Sequence, residues 1–414
     1  MSHAREQLSP NSDSRTRFVI CWANAIQQSG MEAAMKSIHV VPWFSEDAGG
    51  LAHAVPGICQ ALYDAGTDVS LHVLQSECND RPEFTFPVHV HARRIFPWKL
   101  GISPSMRRDI MTESANAEII HNHGLWTMPN VYPSAISKKH SDCRLISSPH
   151  GSLAPWALSR SRWKKRLMWL TMQRQVIRDA ACLHATSETE YLDLRKLALR
   201  NPIAVIPLGV AIPALGNQRN SPRRRRLLSI SRLHPVKGLD NLIRAWSQIQ
   251  NQAPEWDLHI LGPDENNYRA ELLKLSRELN AERVTLGNAI YGKEKTNAFF
   301  DADVFVLPSH TENFGLAAAE ALAHGIPVIA SKGAPWRELE SRRCGWWIDC
   351  SPAPLAAGLS SVLKLSPETL CGFGMRGREW MTETFSWSKF AKLMLETYGW
   401  VRGNGVRPDH IRLD

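Results

Sequence analysis

DVFVLPSHTENFGLAAAEALAHGIPVIAS, residues 303–331, spells out a full strand–loop–helix–strand step of an α/β fold. A buried strand ends at Ser309, a loop carries Glu312, and a helix opens near Asn313–Gly315. Ala-rich helical sequence then runs to Gly325, a C-terminal stop ahead of Pro327. Such a helix turns its first free N–H groups and the positive end of its dipole toward the mouth of the sheet, which is an anion site. Glu312 and Glu320 lie eight residues apart. At ~100° per residue they are offset by about 80°, so both can border one ligand along its length. Two carboxylates would repel a phosphate but suit the hydroxyl groups that flank it, on a sugar at one side and a ribose at the other. The plainer alternative makes Glu312 a helix cap and Glu320 an exposed helix residue.

The same alternation runs through the chain. In the C-terminal half, RLLSISRL leads through HPVKG to LDNLIRAWSQI. WDLHILGP, RVTLGNA, DVFVLPS and PVIAS follow as strands separated by helical segments, and GWWID closes the series. In the N-terminal half, SIHVVPW, DVSLHVL, AEIIHNHG, RLISSPHG, ACLHATS and PIAVIPLGV play the same part. Short buried strands alternating with helices mean parallel α/β layers. IPALGNQRNSPRRRR, rich in Pro, Asn, Ser and Arg, reads as a linker. The expected organisation is therefore an extension at 1–34, a Rossmann-like domain at 35–206, a linker at 207–222 and a second Rossmann-like domain at 223–385. Ligands of doubly wound sheets sit at the carboxyl ends of the strands, so two facing halves offer a central cleft.

Composition narrows the classes of function. The 414 residues exceed one ordinary core. Their 43% hydrophobic and 21% charged content is that of a globular chain rather than a disordered one. No run approaches the ~18 apolar residues of a membrane helix, and MSHAREQLSPNSDSRTR has no secretory n-region. Eight Cys without CxxC pairs suit buried or reduced thiols in a cytosol and argue against zinc sites. The net charge of +9 favours an anionic partner. Much of the excess is local: Arg160, Arg162, Lys164, Lys165, Arg166, Arg174 and Arg178 occur with no acid among them, interleaved with Trp163, Leu167, Met168, Trp169 and Leu170. Such a stripe suits either a solvated helix over a core or a peripheral membrane surface.

A second element, SRLHPVKG, puts Arg232 and Lys237 at a strand end and in the loop before the next helix. An Arg fork and a Lys point charge there can neutralise a departing diphosphate. In the first half, Gly49 and Gly50 mark a strand-to-helix turn, and His150, followed by Gly151, ends a strand and should face the cleft. His121 and His123 end the preceding strand and read as structural.

These residues resemble the retaining GT-B glycosyltransferases of family 4. ENFGLAAAE matches that family's E-x7-E motif, SRLHPVKG its R-x4-K motif, VTLGNAIYGKE its base loop and VIPLGV its inter-domain passage, with Leu208 where Asn is usual. HNHGLWTMPNVYP, ISSPHGSLAPWAL and CLHATSETEY are similar to members that assemble bacterial exopolysaccharide or lipopolysaccharide. The resemblance implies an α/β GT-B fold, with the terminal segment 386–414 packing back on the first domain. It implies that Arg232 and Lys237 hold the donor diphosphate and that Glu312 binds the donor sugar beside the backbone of Asn313, Phe314 and Gly315. Glu320 would bind the ribose, Asn288–Ile290 the base, Gly49 and Gly50 the phosphate and acceptor side, and His150 the reacting sugar. It implies a retaining hexosyltransferase that needs neither metal nor cofactor. The co-substrate is a nucleotide diphosphate sugar, UDP- ahead of GDP-linked on family frequency. The acceptor would be a lipid-linked glycan at the inner face of the cytoplasmic membrane. The rival readings are a sugar-nucleotide epimerase, a non-catalytic nucleotide-sugar binder and, from Arg223–Arg226, a nucleic-acid binder; the last is disfavoured because that run lies on no aromatic platform.

Overall fold

The computed structural model describes residues 34–43, 50–75, 84–93, 95–159, 161–215 and 224–413. Nearly all of the 1–34 extension, together with Gly49, Arg160 and Arg223, therefore lies outside the described residues. Residues 36–414 form one compact unit built on two sheets. The first contains β1 (Lys36–Val41), β2 (Asp68–Leu74), β3 (Val88–His91), β4 (Ile119–His123), β5 (Arg144–Ser148), β6 (Cys182–Ala185) and β7 (Ile203–Val205). The second contains β8 (Arg225–Ile230), β9 (Trp256–Leu261), β10 (Val284–Gly287), β11 (Val304–Leu307), β12 (Val328–Ser331) and β13 (Gly345–Ile348). A short β14 (Ile411–Arg412) returns to pair antiparallel with β7.

Both sheets are otherwise parallel and share one order, 3-2-1-4-5-6, with β7 continuing the first. The two α/β domains are thus Rossmann-like, each with a switch point where the order reverses: between β1 and β4, and between β8 and β11. Strands such as Val304–Leu307 are buried throughout because helices cover both faces of each sheet.

Some elements depart from the sequence reading. Arg225 and Arg226 open β8 instead of ending a linker. The guanidinium of Arg225 lies over the Trp256 ring and donates to the Leu365 carbonyl, so these arginines serve packing and form no nucleic-acid platform. Helices at Pro352–Leu363 and Pro367–Thr384, which the alternation did not separate, cover the second sheet's far edge. The basic stripe is three consecutive segments: Arg162–Met168, a π-helical turn at Trp169–Gln173, and Arg174–Asp179.

The helix Trp387–Val401 packs on the helix Gly50–Asp64 of the first domain. Its Trp387 ring occupies space that only glycine leaves free. A Cβ at Gly57 would sit 2.3 Å from the ring, and one at Gly209 would sit 2.4 Å from it. In a helix interior Gly→Ala ordinarily gains roughly 0.5–1 kcal/mol, and here the clash reverses the sign. Gly57→Ala and Gly209→Ala should each cost about 1–3 kcal/mol, as overpacking does. Combined with Trp387→Ala, each should cost less than the sum of the single changes. Urea-unfolding midpoints for the full cycle check this, and simple additivity would show that the ring is not the obstacle.

Candidate active site

A cleft of about 430 Å³ opens where the strand ends of the two sheets face each other. It is lined by His150, Arg232, Lys237, Ile290, Glu312, Asn313, Phe314, Gly315 and Glu320 of the residues singled out from sequence. Asn288 is exposed and does not line the cleft; its Oδ1 accepts from Arg269 Nη1 at 2.5 Å, so the base loop contributes Ile290 instead. Gly50 is the first residue of its helix, and Ala54, one turn on, reaches the cleft wall.

The cations arrive already paired. Lys237 ends a short 3-10 turn, Pro235–Lys237, and donates from Nζ to Glu312 Oε1 at 2.5 Å. Ser309 Oγ donates to the same oxygen at 2.7 Å. Arg232 pairs with Glu265. Lys295, which the sequence reading did not single out, contacts both Glu320 oxygens, at 2.8 and 2.7 Å. Three cations thus face three carboxylates. A polyanion entering the cleft would have to compete with these carboxylates for the cations. Gly315 caps the helix Leu316–Ala323 with φ 80°, and a Cβ there would meet Leu307 and the Trp336 indole at 3.0 Å. The backbone N–H groups of Leu316 and Ala317 therefore stand at the cleft lining with no helical partner.

Across the cleft the side chain of Asn313 is already engaged. Its Nδ2 donates to Thr186 Oγ1 at 2.7 Å and to Glu190 Oε2 at 3.2 Å. Glu190, not foreseen, also accepts from Gly151 N at 2.6 Å and Thr186 N at 2.8 Å. Burial raises the pKa of this carboxyl, and those donors oppose the rise. The Ser187-to-Glu190 spacing is a capping-box signal, and Ser187 does cap the helix through Glu190 N. Glu190's own side chain, however, reaches past the cap to the loop of the cleft histidine.

His150 takes φ 51°, and its Nε2 lies 3.1 Å from Nδ1 of the fully buried His123. Nε2 of His123 lies 3.0 Å from His39 Nδ1, and His39 Nε2 lies 3.3 Å from Ser37 Oγ. A second chain has a fixed direction. The Ile206 carbonyl can only accept, so His184 Nε2 donates to it at 2.7 Å and Nδ1 accepts from Ser148 Oγ at 2.8 Å. Ser148 Oγ then accepts from His121 Nε2 at 2.6 Å, and His121 Nδ1 accepts from the Tyr398 hydroxyl at 2.6 Å. Burial lowers the pKa of His39 and His150 to about 3 and that of His184 to about 4. These imidazoles stay neutral when folded but take up protons below about 6.5 when unfolded. Their contribution to stability is therefore present above pH ~6.5 and declines as the pH falls toward 4. Urea midpoints should drop steadily from pH 7.5 to 5.0, and His184→Gln should flatten the slope; a level profile for the parent protein would contradict this protonation pattern.

The family model described as "Glycosyl transferases group 1" matches residues 216–380, and "Glycosyl transferase 4-like domain" matches residues 49–209. The solved sucrose-phosphate synthase of Thermosynechococcus elongatus superposes with a TM-score of 0.73 at 22% identity, covering 90% of this chain and all of that one. Anabaena HepE, solved in complex with UDP-glucose, superposes with a TM-score of 0.68 at 18% identity over 88% of this chain and all of that one. Such likeness places the fold in the GT-B class. Two glycosyltransferase family models thus match the chain in tandem, one on each domain. Among its relatives, the D-inositol 3-phosphate glycosyltransferase of Corynebacterium diphtheriae is 26% identical over 89% of this chain and 94% of its own length. A GDP-mannose-dependent alpha-(1-6)-phosphatidylinositol monomannoside mannosyltransferase of Mycolicibacterium smegmatis is 26% identical over 59% of this chain and 67% of its own length.

Proposed function

We propose that this glycosyltransferase moves a hexose, with retention, from a UDP-sugar to a lipid-linked glycan acceptor in cell-surface polysaccharide assembly at the inner membrane face. The observation that carries the donor half is the gathering of Arg232, Lys237, Glu312, Glu320 and a free helix N-terminus at one switch point. The diphosphate would lie against Arg232, Lys237 and the N–H groups of Leu316 and Ala317, which replace a metal in neutralising the leaving group. Glu312 would receive sugar hydroxyls and Glu320 the ribose. In the transfer the bond from the anomeric carbon to the diphosphate breaks and the bond to the acceptor oxygen forms on the same face. The acceptor's proton passes to the departing diphosphate. His150 would border the reacting sugar, with its Nε2 held by His123.

Thermal unfolding with UDP, GDP and ADP tests the donor. A nucleotide at 100 times its dissociation constant adds about 2.7 kcal/mol. UDP should raise the midpoint, and Glu320→Ala should reduce that rise. A response to GDP alone would reassign the donor, and no response to any of the three would remove the nucleotide-sugar reading.

The acceptor half rests on the surface beside the cleft. Trp163, Leu167 and Leu170, spaced on one helical face, are 70%, 57% and 64% exposed and stand among Lys164, Arg166 and Arg174. Lys165 turns inward, over the Trp126 ring and onto the Ala157 carbonyl. An apolar row flanked by cations suits an anionic bilayer surface. Co-sedimentation with vesicles containing anionic lipid should fall severalfold in Lys164→Glu/Arg166→Glu and again in Trp163→Ser. Unchanged binding would leave the stripe without a docking role. A soluble phosphorylated cyclitol is the second reading, favoured by the inositol-phosphate relatives matched over 94% of their length, and vesicle-independent transfer to such an acceptor would select it.

A further inference from the structure

The outer edge of the first sheet gathers a second set of titratable side chains, none of which lines the cleft. His72 on β2 stands in register with His89 on β3, and His91 lies two residues further along the same face. Asp109 and Glu113, one turn apart on the helix Pro104–Glu113, come down on that face. His72 Nε2 is 2.8 Å from Glu113 Oε2, His72 Nδ1 is 3.0 Å from His91 Nε2, and His91 Nδ1 is 3.6 Å from Asp109 Oδ2. The first two contacts are within hydrogen-bond reach, and the His91–Asp109 separation is longer.

A third side chain, His89, stands beside the His72–Glu113 contact. Its ring stacks on His72 with centroids 4.7 Å apart, it is exposed, and it makes no hydrogen bond to a described residue. Ligand atoms of His72, His89 and Glu113 lie within 4.8 Å of one another. Zinc–nitrogen and zinc–oxygen bonds of ~2.0–2.2 Å put tetrahedral ligand atoms roughly 3.3–3.6 Å apart, so binding turns the exposed His89 ring inward and slightly opens the 2.8 Å His72–Glu113 contact.

We propose that His72, His89 and Glu113 bind a divalent first-row transition ion of the zinc type, with the fourth position open to water. His72 then ligates through Nε2 and donates Nδ1–H to His91, whose own N–H faces Asp109. That is the outer relay that orients metal-bound imidazoles. Lys36 Nζ, 3.2 Å from Glu113 Oε1, occupies the other carboxylate oxygen and leaves Oε2 for the ion. Two nitrogens and one oxygen suit zinc, cobalt or nickel better than magnesium or calcium. The ion ties the edge strand β3 to β2 and to the helix above them, and takes no part in glycosyl transfer. The rival is a direct contact between His72 and Glu113 with no ion between them.

The test uses the full chain without a tag, stripped with EDTA and titrated with zinc chloride by calorimetry. One saturable equivalent is expected, and Co2+ should give the intense visible bands of a tetrahedral site. His89→Ala and Glu113→Gln should each weaken binding by ~10–100-fold. His89→Ala removes no hydrogen bond to a described residue, so its thermal midpoint without metal should match the parent. The absence of saturable zinc uptake would leave His72 and Glu113 in direct contact and overturn the proposal. Equal zinc affinity in His89→Ala would overturn it too, by placing the ion elsewhere, such as at the buried His39, His121 and His123.

Discussion

Lys237 meets Glu312 because the backbone at Gly238 passes hard against the end of β11. A Cβ on Gly238 would lie 2.2 Å from the Pro308 carbonyl oxygen, and the residue takes φ 62°. Only glycine permits both the turn and the approach. Through that contact the loop after β8 and the loop after β11 share one floor, and a cation and a carboxylate from distant parts of the chain meet at 2.5 Å. Gly315 repeats the device one step on, where it starts the helix that aims its N–H groups at the same point. The Lys237–Glu312 pair and the helix start at the cleft thus depend on two positions that exclude a Cβ.

The first domain solves a different problem. Its parallel strands carry Ser37, His39, His121, His123, Ser148 and His184 where an ordinary sheet carries aliphatic residues, and all six are fully buried. Leaving such groups without partners would be costly. Here they satisfy one another in chains that end on a main-chain carbonyl, a serine and a tyrosine. This arrangement holds the cleft histidine by its Nε2, and acid opposes it, since each imidazole must be neutral to fit.

The sequence legibly carried the two-domain α/β architecture and most of the second domain's side of the cleft. The reason is local: a buried strand, a Gly-bearing loop and a helix start are coded within about ten residues, and Arg232, Lys237, Glu312 and Glu320 all sit on such units. Glu190 was not legible, because its role depends on meeting Asn313 from the other domain. Lys295 was hidden because its partner Glu320 stands on a separate helix of the same domain. Asn288 belongs to a loop whose position was readable, but the side chain follows Arg269, a partner set by tertiary packing. The metal-ligand geometry at the sheet edge was hidden as well, since β2, β3 and the helix above them bring its members together from separate segments.

The pairing of β14 with β7 and the seating of Trp387 against Gly57 and Gly209 have a consequence for the order of assembly. During synthesis the first domain's strands emerge well before the segment that completes their sheet and covers the helix Gly50–Asp64. Until residues 387–412 arrive, β7 is an open edge and the His121 imidazole lacks its tyrosine. The second domain is thus made inside an unfinished first one. The first sheet is therefore completed last, after every strand of the second has been made.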